Sequence, residues 1–526
     1  MELTIPAAVA RAARDFGDAE ALADPSGARR VRLSYRELDE RVTAVAGALI
    51  DAGVGPGDRV AIWAPNGPEW LLTALGTLGA GAALVPVSTR FTGPEALDVI
   101  GRSGARALFV AGDFLGVDRL GNLLAAAGPG ELDRLTLIVR MPEEWDAFLQ
   151  VGSAAEARKR AVAVRPGDIS DIMFTSGTTG RSKGAMTSHR RSLAVARAWA
   201  GCGGLHPGDR YLAVNPFFHS FGFKAGILAC LVSGAALVPQ AVFDAGEAMR
   251  LAEAERITVL PGAPTIYQMI LDHPERAGRD LSSLRLAVTG AADVPVALVE
   301  RMRRELSFET VLTAYGLTEA VVATMCRPGD PPEVISATSG RAAAGFEVKT
   351  ARSDEILLRG PNLMLGYLDD PEATAAAIDG DGWLHTGDAG RLDEAGYLTI
   401  TGRLVDMYIC GGFNVYPAEV EQVLARLDGV AESAVIGVAE PRLGEVGKAF
   451  VVARPGFALA EEDVLAYCRE RLANYKVPRR VEFRDALPRN PSGKVLKRLL
   501  SPGGTTPPDP PAPGGTIPPD PPLEEP

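Results

Sequence analysis

FTSGTTGRSKG, residues 174–184, follows directly on the apolar run 169–174, and its reading decides the fold. A short apolar run that breaks into glycines, hydroxyls and a lysine is a strand delivering a loop that can surround phosphate with backbone N–H groups and side chains. Thr175, Ser176, Thr178 and Thr179 supply hydroxyls, Gly177 and Gly180 expose backbone, and Lys183 supplies a cation. A Walker A loop would need G-x-x-x-x-G-K-S/T, whereas here Ser182 precedes Lys183 and Gly184 follows it. The segment therefore predicts a phosphate cradle of a different kind at the end of a strand.

Upstream, Ser34 and Glu37 form a capping box, and Leu38, Val42, Val45 and Leu49 recur at helical spacing until Gly53. An apolar run at 60–63, a second helical stretch at 70–78 and a strand-like run at 83–87 follow. Helices alternating with short apolar runs predict a parallel sheet covered by helices, and the alternation extends to about residue 400. Beyond Thr401 the grain is finer: a helix from Pro417, strand-like runs at 434–438 and 449–452, an amphipathic helix at 464–472 and VEF at 481–483. The fold class is thus α/β, with a large multi-sheet domain to about residue 401 and a smaller α+β domain over about 407–500. Residues 501–526 hold eleven prolines and a near repeat, GGTTPPDPP and GGTIPPDPP, which predicts a disordered tail.

With net charge -12, clustered phosphate-backbone binding is not expected, so nucleic acid is excluded as a partner. No stretch reaches the roughly 18 apolar residues of a membrane span, and the N-terminus lacks a signal-peptide pattern, which points to the cytoplasm. Five cysteines, Cys202, Cys230, Cys326, Cys410 and Cys468, lie far apart without C-x-x-C, so neither a disulfide framework nor a zinc site is expected.

The 174–184 run resembles the phosphate-binding signature of the adenylate-forming superfamily, which includes acyl-CoA synthetases, luciferases and peptide-synthetase adenylation domains. Other motifs follow in that family's order. Residues 315–319, YGLTE, resemble the motif in which Tyr315 stacks on adenine, Gly316 lies at the nucleotide, Thr318 serves phosphate and Glu319 serves Mg²⁺ together with Thr175. Gly290, Ala291 and Ala292 resemble the strip beside adenine, while Asp388 and Arg403 resemble the pair that holds the ribose. Residues 491–494, PSGK, resemble the loop whose lysine, here Lys494, serves adenylation; Asp406 matches the hinge, which the resemblance places over 402–406 between the domain over 1–401 and a mobile domain over 407–500, and Gly411 and Gly412 match the path of the pantetheine arm. The resemblance implies ATP, Mg²⁺ and coenzyme A as cofactors, and a small-molecule carboxylic acid as substrate.

Residues 215–230, 257–268, 281–292 and 406–424 further resemble an actinobacterial branch that activates the propanoate side chain left on the C and D rings of degraded steroids. Phe218, His219 and Phe223, with Phe217 and Phe221, would line its acyl pocket. A fatty-acid ligase and a nucleotide-binding interaction protein without catalysis are the alternatives. The sequence departs from the family at Val405, where the hinge usually carries lysine, at Ser182, where proline is common, and over 320–325, AVVATM, which lacks the small and polar residues often found there. Lys494→Ala is expected to slow acyl-adenylate formation by roughly 10²–10³, with much less effect on thioester formation from supplied acyl-adenylate. Separate pyrophosphate-release and thioester assays check this.

Overall fold

The Ser34 side chain accepts the Glu37 N–H at 3.2 Å, and the Glu37 carboxylate accepts the Ser34 N–H at 2.8 Å, so the expected box starts the helix Tyr35–Asp51. Its apolar face, Leu38, Val42, Val45 and Leu49, is buried against the helix Pro68–Gly79. The two approach closely because Gly76 has no side chain: a Cβ there would lie 2.4 Å from Val45 Cγ1. In this computed structural model the described residues are 3–26, 29–175, 182–290, 296–351, 355–403, 408–415, 417–424, 426–454, 456–488, 495 and 497–500.

These helices cover a seven-stranded sheet. Arg59–Trp63, Ala83–Pro86, Ala107–Ala111, Leu137–Met141 and Ile169–Thr175 run parallel, as their near-continuous apolar composition requires when both faces are covered. Lys183–Ser188 then turns back antiparallel to Ile169–Thr175, with Lys183 opposite Thr175, and carries Gly366–Tyr367 on its far edge. A second sheet joins Glu20–Asp24, Ala236–Pro239 and Arg210–Ala213 through Val259 to Leu286–Gly290 and Thr310–Tyr315. The parallel register of the last two strands sets Gly290 beside Ala314, one residue before Tyr315.

The expected helix-strand alternation does not continue to residue 400. Glu347–Thr350, Glu355–Arg359, Leu384–Leu392 and Leu398–Arg403 form an antiparallel sheet, in which the first two and the last two strands are joined by short reversals that need no crossover helix. The small domain has its own sheet, in which Arg480–Phe483 runs parallel to Gly444–Ala453, and the helices Pro417–Leu424 and Glu461–Arg471 close a separate core around Val420, Val435, Val451 and Val464.

The large-domain core extends to the floor of the site through Trp70, whose ring packs 5.3 Å from Phe217 and 6.1 Å from Phe223. Trp70→Ala is expected to cost about 3–5 kcal/mol, the range for deleting a buried aromatic, and urea unfolding measures it.

Candidate active site

Strand ends from both large sheets and one turn of the small domain converge on a cleft of about 1710 Å³. Thr175 ends its strand and Lys183 begins the next, and the Thr175 hydroxyl reaches the Lys183 carbonyl at 3.4 Å. The Lys183 ammonium lies 5.2 Å from the centre of the Tyr367 ring, and the Tyr367 hydroxyl donates to Glu319 Oε1 at 2.8 Å. Lys183, Tyr367 and Glu319 therefore make one corner in which a cation and a carboxylate face the same space. Ser176, Gly177, Thr178, Thr179 and Gly180, expected in the cradle, lie outside the described residues, as do Ala291, Ala292, Asp406 and Lys494; for Arg403 only the backbone is described.

Tyr315 donates to Asp388 Oδ2 at 2.6 Å, joining the second sheet to the antiparallel one across the cleft. Its ring is 8% exposed and packs with Phe346, Ile356 and Leu358, so little of it faces the cleft. Gly316 follows because the chain folds back here: a Cβ at that position would lie 1.7 Å from the Val321 carbonyl oxygen. The same tight turn puts Val321 at φ 62°, a left-handed conformation that a β-branched residue adopts at a cost on the order of 1–3 kcal/mol. Thr318 and Glu319 are thereby held at the cleft surface.

On the acyl side, His219 Nδ1 accepts the Phe221 N–H at 3.2 Å, which leaves Nε2 as the protonated nitrogen of the neutral ring. The surrounding protein pulls its pKa below the ordinary imidazole value by desolvation, although the side chain opens onto the cleft. Phe218 and Phe221 line the cleft, and Phe221 meets Trp199 edge-on at 5.2 Å. Phe223 does not line it. That ring, expected in the acyl pocket, is fully buried with Phe217 against Trp70, because the helical turn after Gly222 rotates it into the core.

Gly411 and Gly412 turn the hairpin between Tyr408–Cys410 and Phe413–Val415 at φ 56° and 82°, values suited to glycine. A Cβ on Gly412 would stand 3.5 Å from the Ala263 side chain, so this small-domain turn reaches the large-domain wall of the cleft. Further contacts hold it there. Arg90 lies 3.8 Å from the Phe413 ring centre, Lys476 pairs with Glu95 at 3.1 Å, and the Thr92 hydroxyl meets the Arg471 carbonyl at 3.0 Å. Burial pulls the Arg90 pKa below its usual value. Sequence reasoning missed Arg90, Tyr367 and Trp199. Only Arg90 carried a signal, since it precedes the Thr92 and Glu95 capping pair.

The AMP-binding enzyme family matches residues 9–368, and the AMP-binding enzyme C-terminal domain matches 419–494. The chain belongs to the AMP-binding enzyme family. It is 58% identical over 511 residues to the 7a-methyl-1,5-dioxo-octahydroindenyl-propanoyl:CoA ligase of Rhodococcus jostii strain RHA1, covering 94% of this chain and 98% of that protein. The ligase of the same name from Mycobacterium tuberculosis is also 58% identical, over 505 residues and the same shares of each chain. Among solved structures of the family fold, the Mycobacterium tuberculosis fatty acyl CoA synthetase superposes with TM-score 0.70 at 31% identity, over 95% of this chain and 97% of that one. No helix among the described residues is long and apolar enough to cross a membrane.

Behind the cleft, His189 is 1% exposed, and its Nδ1 accepts the Ile5 N–H at 3.3 Å. Burial lowers its pKa from 6.5 to about 4, outweighing the carboxylates of Asp171 and Asp168, which pull it upward. An unfolded imidazole takes up its proton near pH 6.5 and the folded one only near 4, so acidification across that window favours the unfolded chain. Melting temperature is expected to fall between those limits, and less steeply in His189→Asn, whose amide oxygen can still accept the Ile5 N–H. Melts across the same window check both.

Proposed function

We propose that this protein is an ATP-dependent, AMP-forming acyl-CoA ligase, acting in the cytoplasm on a propanoate carried by a fused bicyclic dione of steroid origin. The observation that carries the reading is near-full-length 58% identity to two ligases named for that acid. The aromatic wall of Trp199, Phe218 and Phe221 suits such a rigid apolar body.

The acid carboxylate attacks the α-phosphate of ATP, giving acyl-AMP and pyrophosphate; the thiol of coenzyme A then attacks the acyl carbon, and AMP leaves. Thr175, Lys183 and the 176–180 segment hold the phosphates, Tyr315 and Gly290 flank the base, and Asp388 and Arg403 receive the ribose hydroxyls. Lys494 serves adenylation, the small domain over 407–500 moves about Asp406, and Gly411 and Gly412 admit the pantetheine arm. Among the described residues no group of three His, Cys, Asp or Glu could hold a metal alone. That donor set still fits Mg²⁺, which binds through one or two carboxylates and completes its shell with phosphate and water. Glu319 in the same corner as Lys183 is such a carboxylate, and the bound ion would offset phosphate charge.

The test is thioester formation from the indane propanoate, octanoate and palmitate. The bicyclic acid is expected to win clearly; preference for a linear acid overturns the substrate and leaves the ligase reaction standing. Gly412→Val would place a branched side chain against Ala263 in a backbone conformation that disfavours it. It is expected to reduce thioester formation at least about tenfold while changing pyrophosphate release less than about threefold, because only the second step needs that path. The two half-reactions measured separately decide.

A further inference from the structure

Lys224 and Asp171 form an ion pair with Nζ 2.8 Å from Oδ1, and both side chains are completely buried. Neither lines the cleft, and none of the roles assigned above uses them. Asp171 lies four residues before Thr175 on the strand Ile169–Thr175 that leads into the phosphate-binding segment. Lys224 belongs to the π-helical turn Phe223–Leu228, and the next residue, Ala225, lines the acyl side of the cleft. The pair is thus a direct tie between the element that carries phosphate contacts and the element that forms the acyl wall.

Its surroundings are built around the carboxylate. Asp171 Oδ2 is met by the hydroxyls of Ser170 at 2.7 Å and Ser192 at 3.0 Å. Ser192 stands on the helix His189–Gly203, seven residues before Trp199, so two helical turns on the same face deliver one side chain to Asp171 and another to the acyl wall. From the other side the Tyr211 hydroxyl donates to the Ala225 carbonyl at 2.9 Å, taking up a backbone acceptor in the widened turn. Such turns recur where a helix has been locally reshaped for function.

Burying two charges costs much of what their attraction returns, and apolar replacements of a buried pair are commonly neutral or stabilising. Stability is therefore a weak reason for this arrangement, and fixing the relative position of two elements is a better one. We propose that Lys224 and Asp171 are positioning residues that hold the acyl wall at Phe221 and Ala225 in register with the phosphate strand ending at Thr175, so that the acid carboxylate meets the α-phosphate and acids of a different shape are misplaced. This rests on the acyl-CoA ligase reading above.

The test compares wild type with the double variant Asp171→Asn plus Lys224→Met, which removes both charges and leaves neither ion unpaired. Melting temperature, kcat and KM for ATP and for acid in the pyrophosphate-release assay, and the ratio of kcat/KM for the indane propanoate to that for octanoate are measured. Wild type alone reports on the substrate reading; the variants are scored on whichever acid wild type uses better. The expected double variant melts within a few degrees of wild type, yet loses about tenfold or more in kcat with KM for ATP changed less than about threefold, and its acid ratio moves toward unity, as small misplacement of a reacting group predicts. A folded double variant with wild-type rate and ratio overturns the proposal, and so does a rate loss with the ratio unchanged. If the double variant does not fold, Ser192→Ala decides, since it removes one hydroxyl from Asp171 and keeps the ion pair: a shifted acid ratio supports the positioning role, and an unchanged one overturns it.

Discussion

A carboxylate has to be brought against the phosphates of a nucleotide, and both are anions, in a chain whose own net charge is -12. Repulsion between them is felt most where water is excluded, so the charge that offsets it has to be local and already in place. The cleft is built accordingly. Lys183, Arg90, Arg442, Arg471 and Lys476 are among its lining residues, and basic side chains outnumber acidic ones there although the whole chain is acidic. Of the acidic ones, Glu319 accepts from Tyr367 and Asp388 accepts from Tyr315. In each, a neutral hydroxyl donor fixes the direction of the carboxylate.

Holding these groups at one place explains why three sheets end there. Parallel strands present their C-terminal ends on one edge, where chain reversals are free to carry function. Thr175 and Gly290 come from two such edges, and the hydrogen bond from Tyr315 to Asp388 fastens the antiparallel sheet to them. The turn after Tyr315 shows what this demands locally. Gly316 is required by the Val321 carbonyl, and Val321 itself is held in a left-handed conformation, so strain accumulates at the segment that presents Glu319.

The capping box, the alternation of helices and apolar runs, and the strand before the phosphate segment were legible because each is a local pattern with a local cause. Glu319, Tyr315 and Asp388 were legible only as motif positions, through resemblance. Phe223 shows the limit of composition: five aromatic and imidazole rings over 217–223 look like one apolar wall, but the backbone path through the turn at 217–218 and the helical turns that follow it sends Phe217 and Phe223 to Trp70 and leaves Phe218, His219 and Phe221 at the cleft. Lys224 and Asp171 had no sequence signal, because residues so distant in the chain meet only through the packing of a strand against a helical turn. Tyr367 was missed for the same reason, as its two-residue strand has no period to detect.

The small domain meets the large one without sharing its core. Its core closes on itself around Val420, Val435, Val451 and Val464, so separation would not open that core to water. Among the described residues, the contacts across the boundary include the Glu95–Lys476 pair, the Thr92 hydroxyl on a carbonyl, Arg90 over Phe413 and the close approach of Gly412 to Ala263. The Glu95–Lys476 pair is buried, while the others are polar or edge contacts, and none of them is an interdigitated apolar layer like those inside either domain. In this arrangement the Gly411 and Gly412 turn faces the cleft, whereas Val495 and Lys497, the described neighbours of Lys494, are held by the small domain itself. Val495 packs on the cluster of Ile436, Phe450 and Leu487, and Lys497 pairs with Glu421 at 2.8 Å. A glycine turn at the mouth of the site suits passage of a slender thiol arm, and two separately closed cores are what a second orientation, with a lysine brought inward instead, would require.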